Sequence, residues 1–148
     1  MKKYEFTGET KQWWGRTLHR IRATVSFGDV SAGEVGGWIE KEENLSHEGN
    51  AWVYGEAQVY GEAQVYGEAL VCKTAHYLTV GPIGSRNGVT TFFRTKSLQI
   101  FVACGCFRGS IEAFAEKVHQ THGHNEHARR YIASIEFAKA CIDLSPEE

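Results

Sequence analysis

The chain of 148 residues lacks any apolar run approaching the length of a membrane span, and its N-terminus lacks the apolar core of a signal peptide. A cytoplasmic protein with no membrane partner is the expectation. It lacks a strong charge of either sign. A net charge of −2 leaves no whole-protein basic field to draw it to nucleic acid. The cysteines at 72, 104, 106 and 141 lack the spacing of a disulfide scaffold, so free thiols in a reducing compartment are expected. No Walker or dinucleotide fingerprint occurs, and no GxSxG nucleophile elbow. No motif fixes a reaction, so no catalytic residue, metal or cofactor is assigned.

What is present is a repeat. Residues 51–69 read AWVYGE-AQVYGE-AQVYGEA. Val53, Val59, Val65 and Val71 recur at one spacing, and Ala57, Ala63, Ala69 and Ala75 follow each of them at another. A helix would scatter these valines around its surface, and a flat strand would not carry a glycine in every unit. Gly55, Gly61 and Gly67 fall where the chain must bend. A large aliphatic followed by a small residue is the hexapeptide pattern, and the stretch resembles the left-handed parallel β-helix proteins built from it. That resemblance implies a three-sided tube with about three hexads to the turn.

In such a tube the inward positions would be 39, 45, 53, 59, 65, 71, 77 and 83. Ile39, Val59 and Tyr77 would stack in one column, Leu45, Val65 and Ile83 in a second, and Val53 with Val71 in a third. Glu56, Glu62 and Glu68 would face three different directions as solvated surface. Trp52, Tyr54, Tyr60 and Tyr66 would lie outward. They would form an aromatic interface with a second copy or a host protein, or pack against the N-terminal segment.

The flanks differ in texture. Residues 1–38 read as a β-hairpin cap, with strands near 2–6 and 17–25 and a turn at Thr7-Gly8-Glu9-Thr10. Residues 39–83 form the repeat domain, and residues 84–148 a C-terminal β-β-α-α cap. Its strands span 89–95 and 98–106 around a two-residue turn at Lys96-Ser97. On that register Val89, Thr91, Phe93 and Thr95 share a face with Leu98, Ile100, Val102 and Cys104. Ser110 caps a helix over 111–120 and Asn125 a second over 126–144, with a frayed tail of Pro146, Glu147 and Glu148. The fold class expected is mainly β with α: a short left-handed parallel β-helix closed at both ends.

The candidate ligand site is Ser85, Arg86 and Asn87 with Thr90 and Thr91, where repeat hands over to cap. Small residues let backbone N–H groups approach an anion, and arginine grips phosphate bidentately. Arg94 and Arg108 would converge on it. Asn87-Gly88 is equally an ordinary turn signal. Cys104 and Cys106 with His119, His122, His124 and His127 have the wrong spacing for a zinc ribbon, and buried thiols are expected instead. Many hexapeptide β-helices are acyltransferases with a histidine base, a part His76 would have to play. A surface histidine is the plainer expectation.

The order of YEFTGET, GRTLHRIRA, GEVGGWIEKEENLSHEGNAWVYG, the hexads, GPIGSRNGVTTFFRTK and CGCFRGS resembles a family of uncharacterised proteins seen mainly in bacteriophages and prophages. The GSRN, TTFF, CGCF and THG motifs mark its C-terminal part. The resemblance implies a phage context and brings no activity with it. In that context the junction site and the capped shape lead to the expectation of a non-enzymatic binder of a small anionic ligand, such as a nucleotide signal of host defence. The alternatives are a protein–protein module and an acyltransferase.

Overall fold

The computed structural model describes residues 2–146, so the expected frayed tail at Glu147 and Glu148 lies outside the described residues. The chain opens with three antiparallel strands, β1 (Tyr4–Trp13), β2 (Arg16–Ala23) and β3 (Val35–Ile39). The β1–β2 turn falls at Trp14-Gly15, both at positive φ, rather than at residues 7–10, which β1 crosses with a bulge. Positive φ at both central residues matches the right-handed twist of the strands, and this decides where the hairpin reverses.

In the repeat, β4 (Trp52–Val53), β5 (Gln58–Val59) and β6 (Leu70–Val71) are two residues each. The structure corrects the expected left-handed parallel β-helix. Pairing is divided among three small sheets, a mixed one ordered β1-β2-β3-β5, a two-stranded β4-β6, and an antiparallel one, and none of them winds as a solenoid. Among the described residues parallel pairing is confined to Trp38–Gln58, Ile39–Val59, Leu45–Val65, Trp52–Leu70 and Val53–Val71. Tyr77 and Ile83, expected as a further inward layer, instead lie in β7 (Tyr77–Ile83) and pair antiparallel with Phe93 and Gly88. The physical reason is length. Each hexad offers two residues of pairing, whereas the flanking strands offer four to ten and organise the sheets around themselves. The result is a β-sandwich-like packing of small sheets with two helices.

The repeat valines are nonetheless buried, as their period requires. Val53, Val59, Val65 and Val71 join Ile39, Leu45, Trp52 and Phe93 in one core, with Ala57, Ala63 and Ala69 filling the gaps. Two short 3-10 turns brace this core. Asn44, fully buried, accepts from the Glu40 and Lys41 amides at 3.1 and 3.0 Å and donates to the Gly61 and Ala63 carbonyls. His76 plays the matching part in the second turn, where its Nδ1 accepts from the Cys72 and Lys73 amides at 3.0 and 3.1 Å. It is 0% exposed, not a surface histidine.

The C-terminal sheet has four strands rather than two, in the order β10-β9-β8-β7: β8 (Gly88–Arg94), β9 (Ile100–Cys104) and β10 (Phe107–Ser110) join β7. Arg94 pairs with Ile100 and Phe93 with Phe101. The connection is longer than the two-residue turn expected, and the register slips by one residue. Such a slip exchanges the faces. Phe93 turns to the repeat core, while Phe92 and Val102 turn to the helices. Ser110 and Asn125 cap α1 (Ile111–His122) and α2 (Glu126–Cys141), accepting from the Ala113 and Ala128 amides. Ile111, Phe114, Val118, Ile135 and Ala138 close the second core over Phe92 and Val102. No helix among the described residues is long and apolar enough to cross a membrane.

Candidate functional site

The hairpin turns β7–β8 and β9–β10 lie at the same end of the C-terminal sheet, because Ile83 faces Gly88 there and Cys104 faces Phe107. A cleft of about 760 Å³ opens at that end. Ser85, Arg86 and Asn87 line it from the first turn, and Gly105 and Cys106 from the second. Lys117, Val118, Thr121 and His122 approach from α1 and Tyr131 from α2, while Glu62 and Gln64 border it from the repeat. Ile83, Val89, Phe107 and Phe114 give it an apolar floor.

The floor is an aromatic series. The His122 ring stacks on Tyr131 with centroids 5.8 Å apart, Tyr131 meets Phe114 edge-on at 5.5 Å, and Phe114 leans on Phe107 at 5.3 Å. Burial, and after it the neighbouring Cys104, pushes the Tyr131 phenol up to about 12. The ring therefore stays neutral at ordinary pH. Gly84, at φ +81, makes room for this hydroxyl, since a Cβ there would stand 1.9 Å from it. Glycine meets both demands at once: left-handed backbone and no side chain in the path of Tyr131.

Two cations define the rim. Arg86 and Lys117 are exposed and make no hydrogen bond or ion pair among the described residues. Glu62, the acid at the rim, is paired with Lys41 at 3.2 Å.

Of the seven residues proposed from sequence, the structure brings Ser85, Arg86 and Asn87 to the cleft and commits the others elsewhere. Thr90 donates to the Cys104 sulfur at 3.2 Å from a buried position, and the Thr91 hydroxyl accepts from the Gln64 amide at 3.0 Å. Arg94 is wholly buried and bonds the Leu70 and Ser145 carbonyls at 3.1 and 3.0 Å. Arg108 bonds the Gly105 and Phe107 carbonyls and the Gln64 side chain, and its guanidinium stacks on Tyr66. The expected convergence of Arg94 and Arg108 on the site does not occur, because backbone carbonyls already claim both.

The expected aromatic interface is also redistributed. Trp52 is fully buried against Phe27 and Tyr4. Tyr54 is half-buried, Tyr60 lies under Arg16, and the Tyr66 hydroxyl donates to the Val102 carbonyl at 2.8 Å while its ring meets Phe93. These rings pack against the chain's own flanking sheets. No group of three or more His, Cys, Asp or Glu among the described residues is placed to hold a metal ion. His119 leans on His124 and His122 on His127, so the histidines meet in pairs.

Lys117, Thr121, His122 and Tyr131 escape a reading of the sequence as cleft residues. Only α1's apolar stripe, which must face the sheet, places its neighbouring positions over the hairpin turns.

No family model matches the sequence. Part of the chain is similar to the uncharacterized acetyltransferase YdcK of Escherichia coli (strain K12), with 51% identity over 37 residues. That match takes in 25% of this chain and 11% of the other protein, well under two thirds of its length. An overlap of this length establishes neither a family, nor a phage origin, nor the motifs of the C-terminal segment.

Proposed function

We propose that the cleft holds a small anionic, nucleotide-like ligand and that the protein works by binding it. One observation carries this reading: two cations that make no ion pair or hydrogen bond among the described residues, Arg86 and Lys117, stand at the rim of an aromatic-floored cleft. Cations at a partly enclosed rim attract a phosphate, while a flat heterocycle finds apolar and ring surface below. The cleft volume, about 760 Å³, suits a ligand of this size. The resemblance to phage-borne proteins suggests sequestration of a nucleotide signal of host defence.

The acetyltransferase in the relative's name finds little support here. The match is short, and the histidine that acyl transfer would call on in the repeat, His76, is sealed in the core with its Nδ1 occupied by two backbone amides.

The test is thermal unfolding against a panel of nucleotides. A ligand that binds only the folded chain raises its melting temperature. Arg86→Ala and Lys117→Ala should each weaken binding about tenfold. A flat response across the panel overturns the reading.

A further inference from the structure

The three glutamates of the hexads stand in nearly identical sequence, yet their surroundings differ. Glu56 accepts from Arg20 and from the Trp38 indole, and Glu68 accepts from Asn50. Glu62 alone among them borders the cleft, and Gln64 borders it too. Glu62 lies in the Tyr60–Ala63 turn, with Gln64 just after it, and the buried Ala63 between them leaves both side chains exposed at the cleft border.

Gln64 is held in a defined orientation. Its backbone amide donates to the Thr91 hydroxyl at 3.0 Å, and its side-chain oxygen accepts from Arg108 at 2.9 Å. Arg108 is itself tied to two carbonyls of the β9–β10 turn. With the oxygen engaged, the amide presents its NH₂ group, which makes no hydrogen bond among the described residues. Glu62 keeps acceptor capacity beyond its single bond to Lys41 at 3.2 Å, since a carboxylate offers about four lone-pair sites. The repeat thus brings a carboxylate and an amide NH₂ group to the border of the cleft, while the cations stand on the β7–β8 turn and on α1.

We infer that the repeat reads the base of the ligand, and that the Glu62–Gln64 edge selects guanine. This rests on the nucleotide reading of the same cleft. Guanine's Watson–Crick edge carries two adjacent N–H donors, at N1 and N2, next to the O6 acceptor. The Glu62 carboxylate accepts both N–H groups, and the Gln64 amide donates to O6. Hypoxanthine keeps N1–H and O6 and lacks the 2-amino group. Adenine offers neither the pair of donors nor the O6 acceptor. The phosphate falls to Arg86 and Lys117, and the ring to the aromatic floor.

The experiment is calorimetric titration of the full chain with GMP, IMP and AMP. GMP should bind about tenfold more tightly than IMP, since an amino group with a waiting acceptor is lost. Glu62→Gln should weaken both ligands, GMP more than IMP, and bring the GMP-to-IMP ratio near one, because the carboxylate's second acceptor is what discriminates. Equal binding of GMP and IMP by the unaltered chain, tighter binding of AMP, or a ratio unmoved by Glu62→Gln overturns the inference and leaves the anion reading standing. Absence of binding by all three at millimolar concentration, with no response to other nucleotides, overturns both.

Discussion

His76 and Asn44 solve one problem with two different side chains. Each ends a short 3-10 turn, and each turns a side-chain acceptor back onto two successive amides at the turn's start. An imidazole nitrogen and an amide oxygen are interchangeable for that purpose. Truncation takes the acceptor from two partly buried N–H groups, and an unmet N–H costs on the order of 1–3 kcal/mol where water does not reach it. His76→Ala should therefore lower unfolding free energy by about 3 kcal/mol in urea titrations, and His76→Asn should recover roughly half. A base in acyl transfer would show no such rescue of stability. At this scale the sequence is legible where the period imposes burial, as at Val59 and Val65, and illegible where partners come from distant strands. Arg94 reads as a ligand residue because its motif lies near the GSRN turn. Only the fold shows it spent on the carbonyls of Leu70 and Ser145.

At the scale of elements, the N-terminal hairpin reverses through a residue poorly suited to the task. Trp14 sits at φ 50 and is 86% exposed, followed by Gly15 at φ 78. A bulky side chain in the left-handed region is strained, and its exposure returns little packing. Asn-Gly is the pair this turn favours. Trp14→Asn should raise stability by about 0.5–1 kcal/mol, read as a higher urea midpoint at unchanged slope. The helices are the elements most plainly written in the chain, since Ser110 and Asn125 announce their starts through local chemistry. Strand register is not so local. The extra residue between β8 and β9 moves Phe93 from one core to the other, and nothing in the pattern of 89–106 weighs one turn length against its neighbour. The short hexad pairings fail to propagate for a related reason: whether sheets stack or divide depends on the competing strands at either end.

For the molecule as a whole, the buried titratable groups set the response to pH. Lys3 donates to the Ala51 and Gly49 carbonyls at 2.7 and 3.2 Å, and burial brings its amine down to about 8. The unfolded chain holds that proton up to its ordinary value of 10.5, so it binds more protons than the folded chain between these limits. Stability on this account rises with pH through that window. Burial raises the phenols of Tyr4, Tyr77 and Tyr131 above their ordinary value of 10.0, so the unfolded chain ionises first and stability falls beyond it. Urea unfolding from pH 7 upward should show a gain of about 1 kcal/mol, peaking at about pH 9.5, and a decline above it. Lys3→Met should flatten the rise and leave the decline.

The four tryptophans are divided in a way that matters at the bench. Trp38 and Trp52 are enclosed, Trp13 and Trp14 meet solvent at the hairpin tip, and no indole borders the cleft. Ultraviolet emission from this protein therefore carries two colours, a blue one from the interior and a red one that iodide can extinguish. Both report on the N-terminal half of the chain, and neither has a view of an occupant lodged beneath Arg86.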